Sequence, residues 1–231
     1  SDYSEYQDTP DKYKLYFKRE YTDISNNLFN KEVHKNVVPI SFAAEDRHFT
    51  KPTSPHSEIW ENKKDDVVCI MSTCEKRPHR FGIMETLEVN YKNNDRVFVG
   101  EYREGDTLDT VDTGERHFSG YFQKLLNAKI SVDAYGCGNA RQTGRFWESL
   151  ANGCLLFYQP IEPYVWSNPY IDGEDFVVYK DNRELIEKVN YYLSHEDEAQ
   201  RIASNGYNKL LQYHTTDKRA SEVLSFIREY L

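Results

Sequence analysis

The sequence predicts an α/β fold in which a parallel sheet carries helices on both faces. Short apolar runs alternate along the chain with segments whose apolar residues recur at helical spacing. The clearest run, residues 67–71, is apolar throughout, which is typical of a strand buried on both faces. Strands that alternate with helices are joined by crossover connections and therefore run parallel. The length of 231 residues suits one large domain, or one domain with an appendage.

The pattern predicts six strands and six helices. The strands are 37–42, 67–71, 96–100, 130–134, 154–158 and 175–179. The helices cover about 80–92, 121–126, 145–151, 185–193, 202–211 and 220–231. Gly153 is expected to end the third helix.

The organisation outside these elements predicts two parts. Residues 1–30 are polar, and residues 50–58 hold two prolines without periodicity, which indicates loop or linker. Residues 101–116 carry many charges and are expected to form an exposed loop. We therefore expect an N-terminal extension or inter-domain crossing segment at 1–58, followed by a ligand-binding domain at 59–231.

The composition excludes several classes of protein. The formal net charge of -9 repels a phosphate backbone, so nucleic acid is not an expected partner. The sequence lacks both an apolar run long enough to span a membrane and a signal-like start, which predicts a cytoplasmic protein. The cysteines form no Cys-x-x-Cys pair near histidines, so zinc is not favoured. Cys69 and Cys154 lie in apolar runs and are expected to be buried.

The first candidate ligand-binding segment is the loop at 72–80, directly after the buried strand. It gathers Ser72, Arg77 and Arg80 at the start of a predicted helix. Helix N-termini favour anions, because their main-chain amides are unpaired and the helix dipole is positive there. The alternative is a solvated, charged loop without a ligand.

The second candidate ligand-binding segment, at 134–148, leads from a strand through a glycine-rich turn into a helix. Gly136, Gly138 and Gly144 would let the backbone approach a ligand closely. Arg141 and Arg145 could pair with phosphate oxygens through their forked guanidinium groups.

Glu148 lies one turn beyond Arg145, so both side chains project on a similar side of the helix. A carboxylate in this place could accept two hydrogen bonds from a ribose diol. The alternative is a plain Arg–Glu surface pair that contributes little to stability. Phe146 and Trp147 share the apolar face of the helix with Leu150 and are expected in the core. Tyr135 and Tyr158, near strand ends, are better candidates for stacking on a base.

The segment 145–157, Arg-Phe-Trp-Glu-Ser-Leu-Ala-Asn-Gly-Cys-Leu-Leu-Phe, resembles the Arg-x-x-Glu-x-x-Ala-x-Gly signature of GT-B glycosyltransferase donor domains. It is most similar to the CgeB-like, glycosyltransferase family 1-like group, and more distantly to exostosin-type enzymes. The stretches at 16–21, 38–42 and 213–219 also look like parts of these enzymes.

The resemblance implies a Rossmann-like domain that forms the nucleotide-sugar-binding half of such an enzyme. Glu148 would hold the ribose of the donor. A nucleotide-diphosphate sugar would be the co-substrate, with no metal and no further cofactor. The residues implied at the diphosphate are Arg77, Arg80, Arg141, Gly144 and Arg145. Candidates for further donor contacts are Ser72, Gly136, Gly138 and His214, where the alternative for His214 is to cap or pack against the last helix.

One departure from the family leaves the acceptor side open. GT-B enzymes normally have two Rossmann-like domains, and residues 1–58 are too short to form the first. Either a further acceptor-binding domain lies outside this chain, or the family's acceptor half is reduced or replaced. Neither the acceptor nor a catalytic base is assigned. Candidate bases are His48, His56, His79 and His117. Two alternatives remain: a non-catalytic nucleotide-sugar-binding module, and an unrelated doubly wound domain used for interaction.

Overall fold

The computed structural model describes residues 13–18, 36–49, 54–72, 77–102, 116–136, 142–161 and 167–230. Its centre is a five-stranded sheet in the order β4-β3-β5-β6-β7, with every neighbouring pair parallel. The strands are β3 (Asp65–Ser72), β4 (Val97–Tyr102), β5 (Ala128–Val132), β6 (Leu155–Tyr158) and β7 (Val177–Val178). The predicted α/β class and parallel sheet are confirmed.

Seven helices surround the described strands. They are α1 (His56–Glu61), α2 (Pro78–Asn90), α3 (Arg116–Asn127), α4 (Gly144–Ala151), α5 (Asn182–Ser194), α6 (Glu196–Tyr213) and α7 (Thr216–Tyr230). Several begin before their first apolar residue, because polar residues suit the first turn. The first turn of α6 holds Glu196, Asp197 and Glu198, whose charges are favourable at a helix N-terminus. Apolar spacing alone does not detect such turns.

Helix α1 corrects the expectation of loop for residues 56–58, while residues 50–53 lie outside the described part of the chain. Pro55 precedes the helix, and His56, Ile59 and Trp60 are buried. The two prolines hid this short helix, although proline is well tolerated where a helix begins. The domain boundary expected between residues 58 and 59 therefore falls within a helix that packs on the domain.

The core lies on both faces of the sheet. Along β6, Leu155 and Phe157 belong to one buried cluster, while Leu156 and Tyr158 belong to another on the opposite face. This alternation explains the continuous apolar run, since both faces of the strand are covered. Helices α2 and α5 pack on the first cluster and α4 packs on the second, while α6 contributes Ala199, Ile202 and Ala203 to the first and Leu210 to the second.

The N-terminal segments form a small parallel pair, β1 (Tyr16–Lys18) and β2 (Val37–Pro39). Beyond it, the chain is attached to the junction of α6 and α7. The Ala44 main chain donates to His214 over 2.8 Å and accepts from Thr216 over 3.0 Å. A short 3-10 helix at Asp46–His48 then leads towards α4.

Gly153 ends α4, as the sequence predicts. Gly153 has a φ of 66°, in the left-handed region where glycine is favoured. Its N–H donates to the Leu150 carbonyl over 3.0 Å, and the Cys154 N–H donates to Ser149 over 3.1 Å. This pair of hydrogen bonds is the Schellman motif, which stops α4 and directs the chain into β6.

Candidate functional site

The candidate site lies at the carboxyl edge of the sheet, where β3 and β5 end and α2 and α4 begin. The structure brings the described parts of the two candidate ligand-binding segments, 72–80 and 134–148, together at this edge. Arg145 of α4 donates through Nη1 to the carbonyl of Ile70 on β3, and its Nη2 lies 3.5 Å from Ser72 Oγ. In open parallel sheets ligands bind at this edge, where helix N-termini converge.

Three guanidinium groups converge on the Ser72 hydroxyl. Arg77 donates to Ser72 Oγ over 2.6 Å, Arg80 over 3.3 Å and Arg145 over 3.5 Å. A hydroxyl oxygen accepts two hydrogen bonds, so three donors compete for it. The cluster therefore concentrates positive charge around one small polar group, as an anion site requires.

Arg80 has a different position from the other two. Its side chain is 1% exposed. It donates to the carbonyls of Tyr135 over 3.1 Å, Ala134 over 2.8 Å and Ser72 over 3.3 Å. These hydrogen bonds connect the chain after β5 to the end of β3. They also use guanidinium donors of Arg80, which the resemblance had implied at a diphosphate.

Asp133 is a buried carboxylate within the arginine cluster. Its Oδ2 accepts from Thr143 Oγ1 over 2.8 Å, and its Oδ1 lies 3.8 Å from Arg145 Nε. Although burial disfavours the charge, Asp133 holds the pKa of Arg145 above its ordinary value. Sequence reasoning missed Asp133, although a carboxylate at the end of an otherwise apolar strand was a usable signal.

Glu148 lies one turn into α4 and is largely buried. Its Oε2 accepts from the Tyr121 hydroxyl over 2.7 Å, and its Oε1 lies 4.0 Å from His48 Nε2. Burial raises the pKa of Glu148, against the Tyr121 hydrogen bond and the Arg145 charge, which lower it. A side chain at Gly144 would place its Cβ 3.5 Å from Glu148 Oε1 and narrow the approach to that oxygen.

Arg145 and Glu148 differ from the exposed surface pair that was the alternative. Their side chains are 20% and 17% exposed, and Arg145 turns towards Asp133 and β3. The two charges thus lie on one helix at the sheet edge, each held by residues of other elements. Sequence reasoning found these two residues but missed Tyr121 as a partner of Glu148, since nothing in the sequence indicates that α3 packs beside α4.

The glycine-rich turn lies partly within the described residues. Gly136 is half-buried, and a Cβ built there would lie 4.0 Å from Thr143 Cγ2. Gly144 is the first residue of α4. Gly138 and Arg141, which were predicted to contact the donor, lie outside the described residues. Phe146 and Trp147 are in the core as predicted, and Tyr158 is buried with them, which leaves it no face for stacking on a base.

His214 is fully buried between Trp147 and Tyr170. Its Nε2 donates to the Asn168 carbonyl over 2.9 Å, and its Nδ1 accepts from Arg219 Nη2 over 2.8 Å. Burial lowers the pKa of His214 to about 4, so the ring is neutral. With no exposed surface, it offers no contact to a ligand in this conformation.

Among the described residues, the remaining candidate histidines and the cysteines have structural environments. His56 is buried and bonds the Gly153 carbonyl, while the His79 ring stacks on Tyr135. The side chain of His117 lies outside the described residues. Cys69 and Cys154 are buried free thiols, as predicted. In the described part of the chain, no three His, Cys, Asp or Glu residues are grouped to hold a metal, and no helix could cross a bilayer.

A family model described as glycosyl transferase-like matches residues 85–225, from α2 to α7. The chain belongs to this glycosyl transferase-like family. The match includes Arg145 and Glu148, and it excludes the alternative of an unrelated doubly wound domain. The CgeB-like subgroup stays a prediction. No curated protein matches the chain.

Solved glycosyltransferases share the fold at low sequence identity. The pneumococcal O-GlcNAc transferase GtfA, in complex with UDP and GlcNAc, is 13% identical with a TM-score of 0.59, covering 100% of this chain and 48% of that chain. TarM of S. aureus is 13% identical with a TM-score of 0.59, covering 94% and 44%. Anabaena Alr3699/HepE, in complex with UDP, is 12% identical with a TM-score of 0.55, covering 85% and 58%.

The chain therefore spans about half the length of these solved structures. The shared part is the Rossmann-like half of a GT-B glycosyltransferase, which confirms the fold that the resemblance implied.

Proposed function

We propose that this chain is the donor-binding half of a glycosyltransferase that transfers a sugar from a nucleotide-diphosphate sugar to an acceptor. The observation that carries the proposal is the pairing of the arginine cluster around Ser72 with the Glu148 carboxylate on α4. Family membership supports the reaction class. The pairing supports the donor, since a nucleotide sugar presents a diphosphate and a ribose diol to one site.

The diphosphate would lie among Arg77, Arg145 and the N-terminus of α4. Both side chains are already directed to Ser72, at the carboxyl end of β3. Arg141 and Gly144 would complete this part of the site. Transfer breaks the bond between the anomeric carbon and the diphosphate, so negative charge grows on the leaving oxygen. Fixed cations at that point stabilise the transition state and would replace a metal ion.

The ribose would lie at Glu148. A carboxylate has about four acceptor positions, of which Tyr121 occupies one, so it can still accept from two hydroxyl groups. The Glu148 carboxylate is charge-complementary to hydroxyl donors and repels phosphate. This ordering of charges along the edge would set the direction of the nucleotide, with its diphosphate towards Arg145.

The structural neighbours support a nucleoside diphosphate as the first ligand to test. GtfA and Alr3699/HepE were solved with UDP. Because this chain spans about half of such structures, we propose that a further domain supplies the acceptor contacts and the catalytic base. The acceptor would enter between the two halves, and the reaction would take place in the cytoplasm.

A melting-temperature screen with UDP, GDP, ADP, CDP, dTDP and their common sugars tests the proposal. A ligand that binds only the folded state raises the melting temperature, and the rise grows with the ratio of free ligand to its Kd. We expect a rise with one base, and loss of that rise in Glu148→Gln, which keeps the volume but removes the charge. The control is Glu187→Gln, which removes an exposed carboxylate on α5 and should keep the rise.

The screen also separates this proposal from its alternative. A non-catalytic nucleotide-sugar-binding module would show the same rise in melting temperature but no transfer, even in the presence of its full-length partner domain and acceptor. If no nucleotide or nucleotide sugar raises the melting temperature, or if Glu148→Gln retains the full rise, the assignment of the donor site is wrong.

A further inference from the structure

Glu148 accepts one hydrogen bond from another element and has a second polar neighbour beside its other oxygen. From α3, the Tyr121 hydroxyl donates to Oε2 over 2.7 Å. From the 3-10 helix at Asp46–His48, the His48 ring places Nε2 4.0 Å from Oε1. The two contacts reach different oxygens of the same carboxylate. The Tyr121 hydrogen bond fixes Oε2, and the His48 ring, beyond hydrogen-bond distance, limits the space beside Oε1.

The protonation states of both neighbours are set by their surroundings. Burial and the nearby Glu148 raise the pKa of Tyr121 well above its ordinary value, so the phenol keeps its proton and donates it. Burial lowers the pKa of His48, so the ring is neutral. The Glu45 main-chain N–H donates to His48 Nδ1 over 3.1 Å, which leaves the ring proton on Nε2, the atom nearest Glu148.

One side chain keeps the His48 turn in register with α4. The Asn152 amide donates to the His48 carbonyl over 2.8 Å and to the Glu148 carbonyl over 2.9 Å. Asn152 is also the residue that ends α4. The turn that presents His48 is thus bonded to the helix that presents Glu148, although the two are far apart in sequence.

We propose that Tyr121 and His48 are positioning residues that hold the Glu148 carboxylate in the orientation that accepts both hydroxyl groups of a ribose. The inference rests on the proposed function, since it takes Glu148 as the ribose-binding group. A carboxylate held in advance loses less conformational freedom when the ribose binds. The substrate class that follows is a ribonucleotide donor, preferred over its 2′-deoxy counterpart because that counterpart lacks one of the two hydroxyl groups.

The test compares ribose and deoxyribose ligands in conservative variants. Affinities for UDP, 2′-deoxy-UDP, GDP and 2′-deoxy-GDP are measured by calorimetry for the wild type, Glu148→Gln, Tyr121→Phe and His48→Leu. We expect the preference for ribose to fall about 5- to 10-fold in Tyr121→Phe, the net size of one ordinary hydrogen bond, and less in His48→Leu. The control is Tyr91→Phe, which loses a 2.8 Å phenol hydrogen bond to Asn190 outside this site and should keep the preference.

A pH profile supplies a readout that a purely structural role would not move. The groups around Glu148 are Tyr121 on α3, His48 and Arg47 on the turn, Arg145 on α4 and Asp133 after β5. Burial raises the pKa of Glu148, and the Tyr121 hydrogen bond lowers it. Tyr121→Phe removes that lowering influence. The preference for ribose should therefore be lost at a higher pH than in the wild type, because Glu148 protonates earlier on acidification.

The outcomes separate this inference from the function on which it rests. If the wild type prefers ribose and Glu148→Gln loses that preference, while Tyr121→Phe and His48→Leu keep it with an unmoved pH midpoint, only the positioning role is overturned. The same holds if both variants weaken ribose and deoxyribose ligands equally. If the wild type binds none of the four nucleotides, or binds both sugars equally, the ribose site at Glu148 is overturned as well.

Discussion

The Lys63 ammonium donates to the main-chain oxygen of Asn152 over 3.0 Å, in the interior of the domain. The same nitrogen donates to the carbonyl of Leu126 over 3.1 Å. Asn152 ends α4, and Leu126 lies in the last turn of α3. One buried cation therefore satisfies terminal carbonyls of two helices, both of which carry residues of the candidate site.

Replacement of Lys63 tests this relationship. Lys63→Met keeps a long, unbranched side chain at this position but removes the ammonium donors. The carbonyls of Leu126 and Asn152 therefore lose a hydrogen-bond partner. Each buried, unpaired carbonyl costs about 1–3 kcal/mol, and removal of a buried charge offsets part of that cost. We expect the free energy of unfolding in urea to fall by about 1–3 kcal/mol. The exposed neighbour Lys64, replaced in the same way, serves as control, and an equal effect of the two variants would contradict the capping role.

Arg80 and Arg77 should separate stability from binding. Arg80 is buried and bonds three carbonyls, whereas Arg77 is half-buried at the start of α2. Lysine lacks the planar fork, so Arg80→Lys should lower the free energy of unfolding by about 2 kcal/mol or more. Arg77→Lys should change stability by less than about 1 kcal/mol but weaken nucleoside diphosphate binding. Urea denaturation and calorimetry measure the two effects, and the assignment fails if the order of the stability losses is reversed.

Gly206 marks a close approach of α6 to the chain before β7. A Cβ at Gly206 would lie 2.3 Å from the Asp175 carbonyl oxygen and 2.8 Å from Leu150 Cδ2. Because backbone must move to admit the methyl group, we expect Gly206→Ala to destabilise the protein by about 1–3 kcal/mol. Gly120, exposed on α3, is the matched control, since a Cβ there meets nothing within 4 Å. Gly120→Ala should stabilise by about 0.5–1 kcal/mol, and thermal unfolding that ranks the two variants the other way would be inconsistent with the packing.

His214 should make stability depend on pH. Its pKa in the folded protein is lowered from 6.5 to about 4, so folding favours the neutral ring. This contribution is fully present above about pH 6.5 and is lost as the pH falls towards 4, at up to about 1.4 kcal/mol per pH unit. His56, with its pKa also lowered to about 4, acts in the same direction.

Denaturation in urea between pH 4 and pH 7 measures the His214 contribution. In His214→Gln the free energy of unfolding should decrease less steeply on acidification than in the wild type. Tyr170→Phe is the control, because it alters the ring that packs on His214 but leaves the imidazole in place. A slope in His214→Gln equal to that of the wild type would show that the buried histidine is not the titrating group.

The sequence predicts most helices and strands because their apolar residues recur with a regular period. It predicts Arg145 and Glu148 as candidate site residues because both lie on one short helix after a glycine-rich turn. It does not predict Tyr121, Asp133 or His48 as neighbours of these residues. Their side chains meet only because β3 pairs with β5 and α3 packs beside α4, and strand order is not encoded by local periodicity.

The two arginines at the start of α2 show a second limit. Arg77 and Arg80 have the same chemistry and stand three residues apart. Arg77 precedes the first turn, while Arg80 lies within it and faces the interior, where carbonyls at the ends of β3 and β5 receive it. Which arginine is buried among carbonyls and which stays half-buried at the sheet edge depends on the direction of the helix, which the sequence leaves open.

The attachment of Ala44 to Thr216, 172 residues later, has a consequence for synthesis of the protein. Ribosomes add about 5–20 residues per second, so roughly 10–30 s pass between the two residues. During that interval the segment that carries His48 has no α6–α7 junction on which to dock. Within this domain, the residues that complete the candidate site are thus translated long before the helices that let them reach their native contacts.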